Sequence, residues 1–343
     1  VNMGEAKKKV RMKDIADKLN ISINAVSLAL NNKPGISEKT RQQVLKTAVE
    51  LNYFDRHTAL ADINHLDNIC LMIEKKNFKD TRFYSRVILG IENEAKNNNY
   101  DLLVSIIDKD EHEVPSSIEL GKTSGILIVG SIDDELLERI LSYGIPLALV
   151  DHASFLINTD AILTENVSGE FMATKYLIDC GHKEIGFFGD KDFTLSFNER
   201  WIGFNESMKR ANIPINLDYC ITDLVEDYVL KNDFKTVANI IRSMDKLPTA
   251  WVCANDSAAV ILISALRELN IKVPDDISVI GFDDIDLCKI TSPNLTTMRI
   301  DKKLMGAKAV KNLLWRMENM DQPNQHVKLS VNLVERESVK KVI

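Results

Sequence analysis

From residue 68 onward the sequence is a succession of short, unbroken apolar runs separated by amphipathic stretches. The runs are NICLMI (68–73), YDLLVSII (100–107), GILIVG (125–130), IPLALV (145–150), EIGFFG (184–189), TAWVCA (249–254) and ISVIGF (277–282). Helical spacing fills most of the gaps, as from Phe83 to Ala95 and from Ser257 to Leu269. A strand that is apolar on both faces must be covered on both. Intervening helices do that covering, so the pattern predicts parallel sheets in an α/β fold. Seven or more strands over about 270 residues fit two lobes better than one.

Open sheets of this kind bind ligands at the C-terminal ends of their strands. The polar residues that follow the runs are Asp151, Asp190, Asn255, Asp256, Asp283 and Asp284. Such residues often cap the next helix, and for Asp256 and Asp284 capping is favoured over a ligand role. No G-x-G-x-x-G follows a strand, and neither a G-x-x-x-x-G-K-[ST] loop nor a G-x-S-x-G elbow occurs. The five cysteines (Cys70, Cys180, Cys220, Cys253, Cys288) and six histidines are scattered, with no C-x-x-C and no H-E-x-x-H. The sequence therefore predicts free thiols, no metal, no cofactor and no enzyme activity. No run approaches the roughly 20 apolar residues of a membrane span. The opening VNMGEAKKKVRMKD has charge without an apolar stretch behind it, so a cytoplasmic location and no membrane partner are expected.

Charge divides the chain. Its net charge is −7, yet residues 1–60 carry eleven Lys and Arg against six Asp and Glu. A basic head on an acidic body is the asymmetry expected when only the head meets a polyanion. Within it, Ile15, Ala16 and Leu19 share one helical face over residues 12–19. Asn20 follows where a sharp turn needs positive φ, which Asn tolerates better than most residues. Ile21 fills the corner and Ser22 is placed to cap a second helix through Val26 and Leu30, with small residues at Ala25 and Ala29. NNKPG ends that helix. Ser37 caps a third, whose Val44, Ala48 and Leu51 complete a three-helix core. In such a unit the second helix enters the major groove. Its expected exposed residues are Ile23, Asn24, Ser27 and Leu28. Asn24 suits a base edge, and Ile23 and Leu28 suit thymine methyls. Thr40 and Arg41 suit phosphates.

The stretch MKDIADKLNISINAVSLALNNKPGISEKTRQQVLKTAVELNY resembles the DNA-binding domain of the lactose/galactose repressor (LacI/GalR) family of bacterial regulators. It carries D-I-A at Asp14–Ala16, V-S-x-x-L-N at Val26–Asn31, S-x-x-T-R-x-x-V at Ser37–Val44 and E-L-x-Y at Glu50–Tyr53. It departs from the family at Asn20, where Gly is usual, and at Leu28, where a basic residue is usual; the latter implies an altered operator sequence. The resemblance continues through GHKEIGFFG (181–189), PTAWVCANDSAAVILISALRELNIKVPDDISVIGFDDI (248–285), SPNLTTMRI (292–300) and LVERESV (333–339).

The resemblance implies a helix-turn-helix head (1–56), a hinge (57–67) and a two-lobed body of periplasmic-binding-protein type (68–343). Lobe one would hold about 68–164 plus 295–322, and lobe two about 165–292 plus 323–343. The chain would cross between lobes near 164–166, 291–295 and 321–325. It also implies a hinge helix that wedges a side chain into the minor groove. Here Asp62 takes the usual leucine position, so the wedge shifts to Ile63 or Leu60, or hinge insertion is reduced. Effector residues carried over on the same basis are Asp151, Arg200, Asn255 and Asp283, a set suited to a polyhydroxylated molecule. Phe83 and Tyr84 offer a ring to a sugar face, Trp201 belongs to the core, and Ile300 would make one wall apolar. KDEHEVPSSIELGKTS (109–124) is short for a second crossover helix. The implied function is a transcription regulator, most often a repressor, acting as a homodimer on a pseudo-palindromic double-stranded operator under a small effector. A solute-binding protein with the same body is the alternative.

Overall fold

The structure is a computed structural model that describes residues 11–30, 35–51, 53, 68–108 and 113–342. The chain separates into two compact units, Val1–Asp67 and Asn68–Ile343, taken here in turn. The expected hinge, with Leu60, Asp62 and Ile63, lies outside the described residues.

In the first unit α1 (Met12–Leu19), α2 (Ile23–Leu30) and α3 (Glu38–Glu50) enclose Ile15, Ala16, Val26, Ala29, Leu30, Val44 and Ala48. Asn20 ends α1 in the left-handed region, φ 53° and ψ 47°. Its N–H and that of Ile21 return to carbonyls of α1. Ser22 Oγ accepts from Ala25 N at 3.1 Å, and Ser37 Oγ from Thr40 N at 3.1 Å, so both serines cap as the sequence predicts.

The second unit opens with β1 (Asn68–Glu74), α4 (Lys75–Lys79), α5 (Tyr84–Asn97), β2 (Asp101–Ile107), α6 (Ser116–Glu119), β3 (Gly125–Val129), α7 (Asp134–Leu141), β4 (Leu147–Val150) and β5 (Asp160–Thr164). After one crossing come α8 (Asn166–Asp179), β6 (Ile185–Phe188), α9 (Leu195–Arg210), α10 (Val225–Lys231), α11 (Phe234–Arg242), β7 (Ala250–Cys253), α12 (Asp256–Glu268), β8 (Ser278–Asp283) and β9 (Thr296–Arg299). The chain then returns through α13 (Lys302–Glu318) and β10 (His326–Leu329) and finishes with β11 (Asn332–Val334). One sheet runs β10-β5-β4-β3-β1-β2, all parallel. The other runs β11-β9-β8-β7-β6, parallel except for β11 against β9. All seven apolar runs are strands. The four-residue α6 is the shortened second crossover. One buried apolar cluster takes in Ile69, Leu127 and Val150 of one sheet, Phe187, Ile280 and Met298 of the other, and Met305, Ala309 and Leu313 of α13.

Two crossings fall later than expected, and the lobe boundaries change with them. The first is at Glu165, within the expected range. The second is at Ile300–Asp301 rather than 291–295, because Thr296–Arg299 pairs with β8 and stays in the second sheet. The third is at Ser330–Val331 rather than 321–325, because His326–Leu329 pairs with β5 in the first sheet. Lobe one is thus 68–164 plus 302–329, and lobe two 166–299 plus 332–342. The positions 291–295 and 321–325 implied by the resemblance each precede a strand of the same lobe.

The Asn20 turn makes a sharp prediction. Replacing Asn20 by Gly should leave the first unit's stability nearly unchanged. Replacing it by Val should cost about 1–2 kcal/mol of left-handed strain and accelerate amide exchange in α1 and α2 of the full chain by about 5–30-fold. Equal exchange in the two variants would refute the assigned strain.

Candidate functional site

The first unit presents a polar-and-apolar helix face. Ile23 is half exposed, at 50 %, and Asn24 is exposed, whereas Ser27 and Leu28 are half-buried. A Leu28 methyl lies against Gly35, so Leu28 is less available than its spacing predicts. Arg41 sends Nη1 to the carbonyls of Leu28 and Ala29, 3.3 and 3.4 Å away, capping the C-terminus of α2 where a cation opposes the helix dipole. Thr40 Oγ1 is 2.7 Å from Ser37 Oγ. The two residues expected at phosphates thus already serve the fold.

In the second unit a cavity of about 430 Å³ lies at the C-terminal ends of strands from both sheets. It is lined by all six residues expected at an effector: Phe83, Tyr84, Asp151, Arg200, Asn255 and Asp283. Asp151 follows β4 with φ 60°, and Asp283 ends β8 with φ 115°. Tyr84, at the start of α5, donates its hydroxyl to Asp151 Oδ2 at 3.2 Å. Phe83 is buried beside it, its ring edge-on to Tyr84 at 5.0 Å.

Arg200 is buried on α9. Its Nε donates to Asn166 Oδ1 at 3.0 Å, its Nη1 to the Ala254 carbonyl, and its Nη2 lies 3.2 Å from Asp283 Oδ1. The guanidinium covers the Phe282 ring at 3.9 Å. Arg200 thus lines the cavity while its guanidinium is also held by the protein, and it positions Asp283. Asn255 does less for a ligand than expected. Its Oδ1 accepts from Ala258 N at 2.7 Å as the cap of α12, and its Nδ2 reaches Glu226 Oε1 at 3.2 Å. Ile300 is in the core at the second crossing and does not line the cavity. The apolar wall comes from Phe193, Phe197, Val229 and Leu230. Trp201 is partly buried and packs against the core on Phe187 and Phe204.

Asp256 and Asp284 hold structure together. Asp256 accepts from Ile285 N at 2.9 Å and from Thr297 Oγ1. Asp284 pairs with Arg299 and Arg336, both at 2.6 Å. Buried Lys302 donates to the main-chain carbonyls of Asp283, Asp284 and Ile300, tying α13 to the end of β8.

The sequence reading missed Asp80, His152, Thr194, Ser196 and Glu226 in the lining. His152 lies just after β4 and Thr194 caps α9, signals that could have found them. Glu226 belongs to α10, which follows an irregular segment and carries no such signal. Among the described residues no group of three or more His, Cys, Asp or Glu is placed to hold a metal, and no helix is long and apolar enough to cross a membrane.

Burial pushes the Asp151 carboxyl up to about 7, with Arg200 opposing and Asp283 adding to the rise. Burial and then the charge of Asp190 push Glu226 up to about 7. Burial raises Asp283 too, against Arg200 and Lys302. Burial also pushes the Tyr84 phenol up, reinforced by Asp151, and lowers His152.

A helix-turn-helix unit joined in one chain to a two-sheet body with a polar cavity at its strand ends is the build of a ligand-controlled bacterial regulator. Residues 11–55 match the profile of bacterial regulatory proteins of the lacI family, and residues 174–339 that of the periplasmic binding protein-like domain. The transcriptional repressor PurR of Vibrio parahaemolyticus is 32 % identical, over 96 % of this chain and 99 % of its own. Two solved structures share the fold. A CelR–cellobiose complex does so with TM-score 0.70 and 20 % identity, over 96 % of this chain and 99 % of that one. The lac repressor dimer bound to operator and the anti-inducer ONPF does so with TM-score 0.67 and 24 % identity, over 97 % and 100 %. The chain belongs to the LacI family of bacterial transcription regulators.

The raised Asp151 carboxyl has a thermodynamic consequence. The folded chain holds this proton more tightly than the unfolded chain, so stability falls as pH rises from the ordinary value near 4 towards 7. Asn tolerates the left-handed turn and never ionises. Asp151→Asn should therefore melt about 2–5 °C above the parent at pH 8 and by clearly less at pH 4, by scanning calorimetry. An equal displacement at both pH values would contradict this.

Proposed function

We propose that this chain is a sequence-specific repressor of transcription, acting in the cytoplasm as a homodimer on a pseudo-palindromic double-stranded operator, with its affinity set by a small hydroxyl-rich effector in the cavity. The observation that carries the reading is the union in one chain of an exposed α2 face after the Asn20 turn with a polar cavity at the strand ends of two sheets. In this reading Ile23 and Asn24 read base edges, with Leu28 at the border of the contact and Ser27 beside it. Ser22 fixes the N-terminus of α2, while Thr40 and Arg41 hold α3 against α2 and approach phosphates from there. Ile63 is the hinge residue proposed for the minor groove. At the cavity Asp151, Asp283 and the amide of Asn255 meet the effector, Tyr84 and Phe83 flank it, and Arg200 positions Asp283. The role is one of binding, without catalysis, cofactor or membrane.

The repressor named in Vibrio parahaemolyticus supports the direction of control, and the cellobiose complex supports a sugar-like occupant for this fold. Because each ligand would favour one arrangement of the lobes, operator and effector affinities are coupled reciprocally. A solute-binding protein would have no use for the first unit, so that reading is not favoured.

Selection of genomic fragments by the full-length chain tests the proposal. Recovered sites should share a pseudo-palindrome, and binding should weaken steeply with salt as phosphate contacts release counterions. No enrichment at low salt, or a salt-insensitive affinity, would overturn it. On the selected site Asn24→Ala should cost about 1–3 kcal/mol, with little loss on random DNA. Equal loss on both would remove Asn24 as a base reader.

A further inference from the structure

The inner wall of the cavity holds more carboxyl groups than cations. Asp151, Glu226 and Asp283 line it from the turn after β4, from α10 and from the end of β8. Glu170 on α8 is fully buried with neither carboxylate oxygen hydrogen-bonded, and it draws on the same Arg200 charge. Arg200 is the buried cation of the lining, and each of its three nitrogens is already engaged by Asn166, Ala254 or Asp283. Lys302, outside the lining, gives its hydrogen bonds to main-chain carbonyls, and its charge acts on Asp283. Asp283 Oδ1 is buried and accepts no hydrogen bond; its partner is the Arg200 ion pair at 3.2 Å.

The other cations of the lining are exposed. Lys76 lies 2.9 Å from Glu74, and Lys79 and Arg82 face solvent beside Asp80, where water and salt screen their charge. They do not offset the inner surplus. A neutral polyol would satisfy the acceptors hydrogen bond by hydrogen bond but bring no counter-charge, leaving Asp151 and Glu226 raised to about 7 and partly protonated. An ammonium brings three donors and the missing positive charge together. The cavity is large enough for a molecule of sugar size.

Resting on the reading of this cavity as the effector site, we propose that the effector is an organic cation. It is a small hydroxylated molecule carrying a protonated amine, whose ammonium is held by Asp151 and Asp283 with Glu226 in support. Asp151 and Asp283 thereby select for charge, and the hydroxyls of Tyr84, Thr194 and Ser196 serve the remainder of the molecule.

The test uses a bacterial metabolite extract separated by ion exchange at neutral pH into cationic, neutral and anionic pools. Each pool is added to the full-length protein and the melting temperature is read. The cationic pool should raise the parent's Tm by about 3 °C or more. Acetylating its amines with acetic anhydride should abolish the shift, and Asp151→Asn and Asp283→Asn should each remove it. If Asp283→Asn does not fold, Asp151→Asn carries the comparison. A shift from the neutral pool that both variants lose would keep the cavity as the effector site and overturn the cation. A cationic shift that survives acetylation or both substitutions would overturn the assignment. No shift from any pool would overturn both this inference and the effector reading on which it rests.

Discussion

One buried guanidinium organises the ligand-facing half of this protein. Arg200 reaches the end of β8 through Asp283, the end of β7 through the Ala254 carbonyl, and the start of α8 through Asn166. Its position depends on close packing. At Gly203 an added Cβ would fall 2.3 Å from the Val167 carbonyl, so α9 can approach α8 this nearly only with glycine there. Thr194 caps α9, accepting from Phe197 N at 3.3 Å, and sets the turn that carries Ser196, Phe197 and Arg200 to the strand ends. A buried charge with its partners removed is strongly destabilising, whereas the intact set is close to break-even against apolar packing. The ion-pair network therefore serves geometry more than stability.

The topology explains why a cavity forms at that place. Both sheets point their C-terminal ends at it, and three short crossings join them. Among the described residues, two salt bridges also span the lobes, Arg86–Asp286 at 2.6 Å and Lys328–Glu199 at 2.7 Å. Both are partly solvent-exposed, and such pairs contribute about 0–1 kcal/mol. These bridges add little to the buried apolar cluster that runs between the two sheets. The Lys302 contacts with the carbonyls of Asp283, Asp284 and Ile300 fasten the second crossing to the floor of the cavity. A change in the cavity is thus felt directly where the chain passes between lobes.

The legible parts of the fold were those written as local pattern. Apolar runs gave seven strands, and the Asn20 turn and the Ser22 and Ser37 caps gave the head, because each depends on neighbouring residues alone. The short polar strands β9, β10 and β11 carry no such pattern. They are strands because β8, β5 and β9 offer edges to pair with, and this misplaced two crossings. At the site, strand-end positions located the cavity correctly, yet the partners of each side chain were invisible. Nothing in the sequence says that Arg200 also bonds to Asn166 and the Ala254 carbonyl or that Asn255 caps a helix with its oxygen. Glu226 was missed because its position depends on how α10 folds back over the cavity.

The most direct test of the central claim is a double-mutant cycle between Arg200→Met and Asp283→Asn, measured by urea denaturation at pH 8. Arg200→Met alone should cost about 3–5 kcal/mol, because it strands buried carboxylates without their counter-charge. In the Asp283→Asn background the same change should cost about 1–3 kcal/mol less. Costs that add to within about 0.5 kcal/mol would mean that Arg200 and Asp283 act independently, and would contradict the charge-centred account of the cavity.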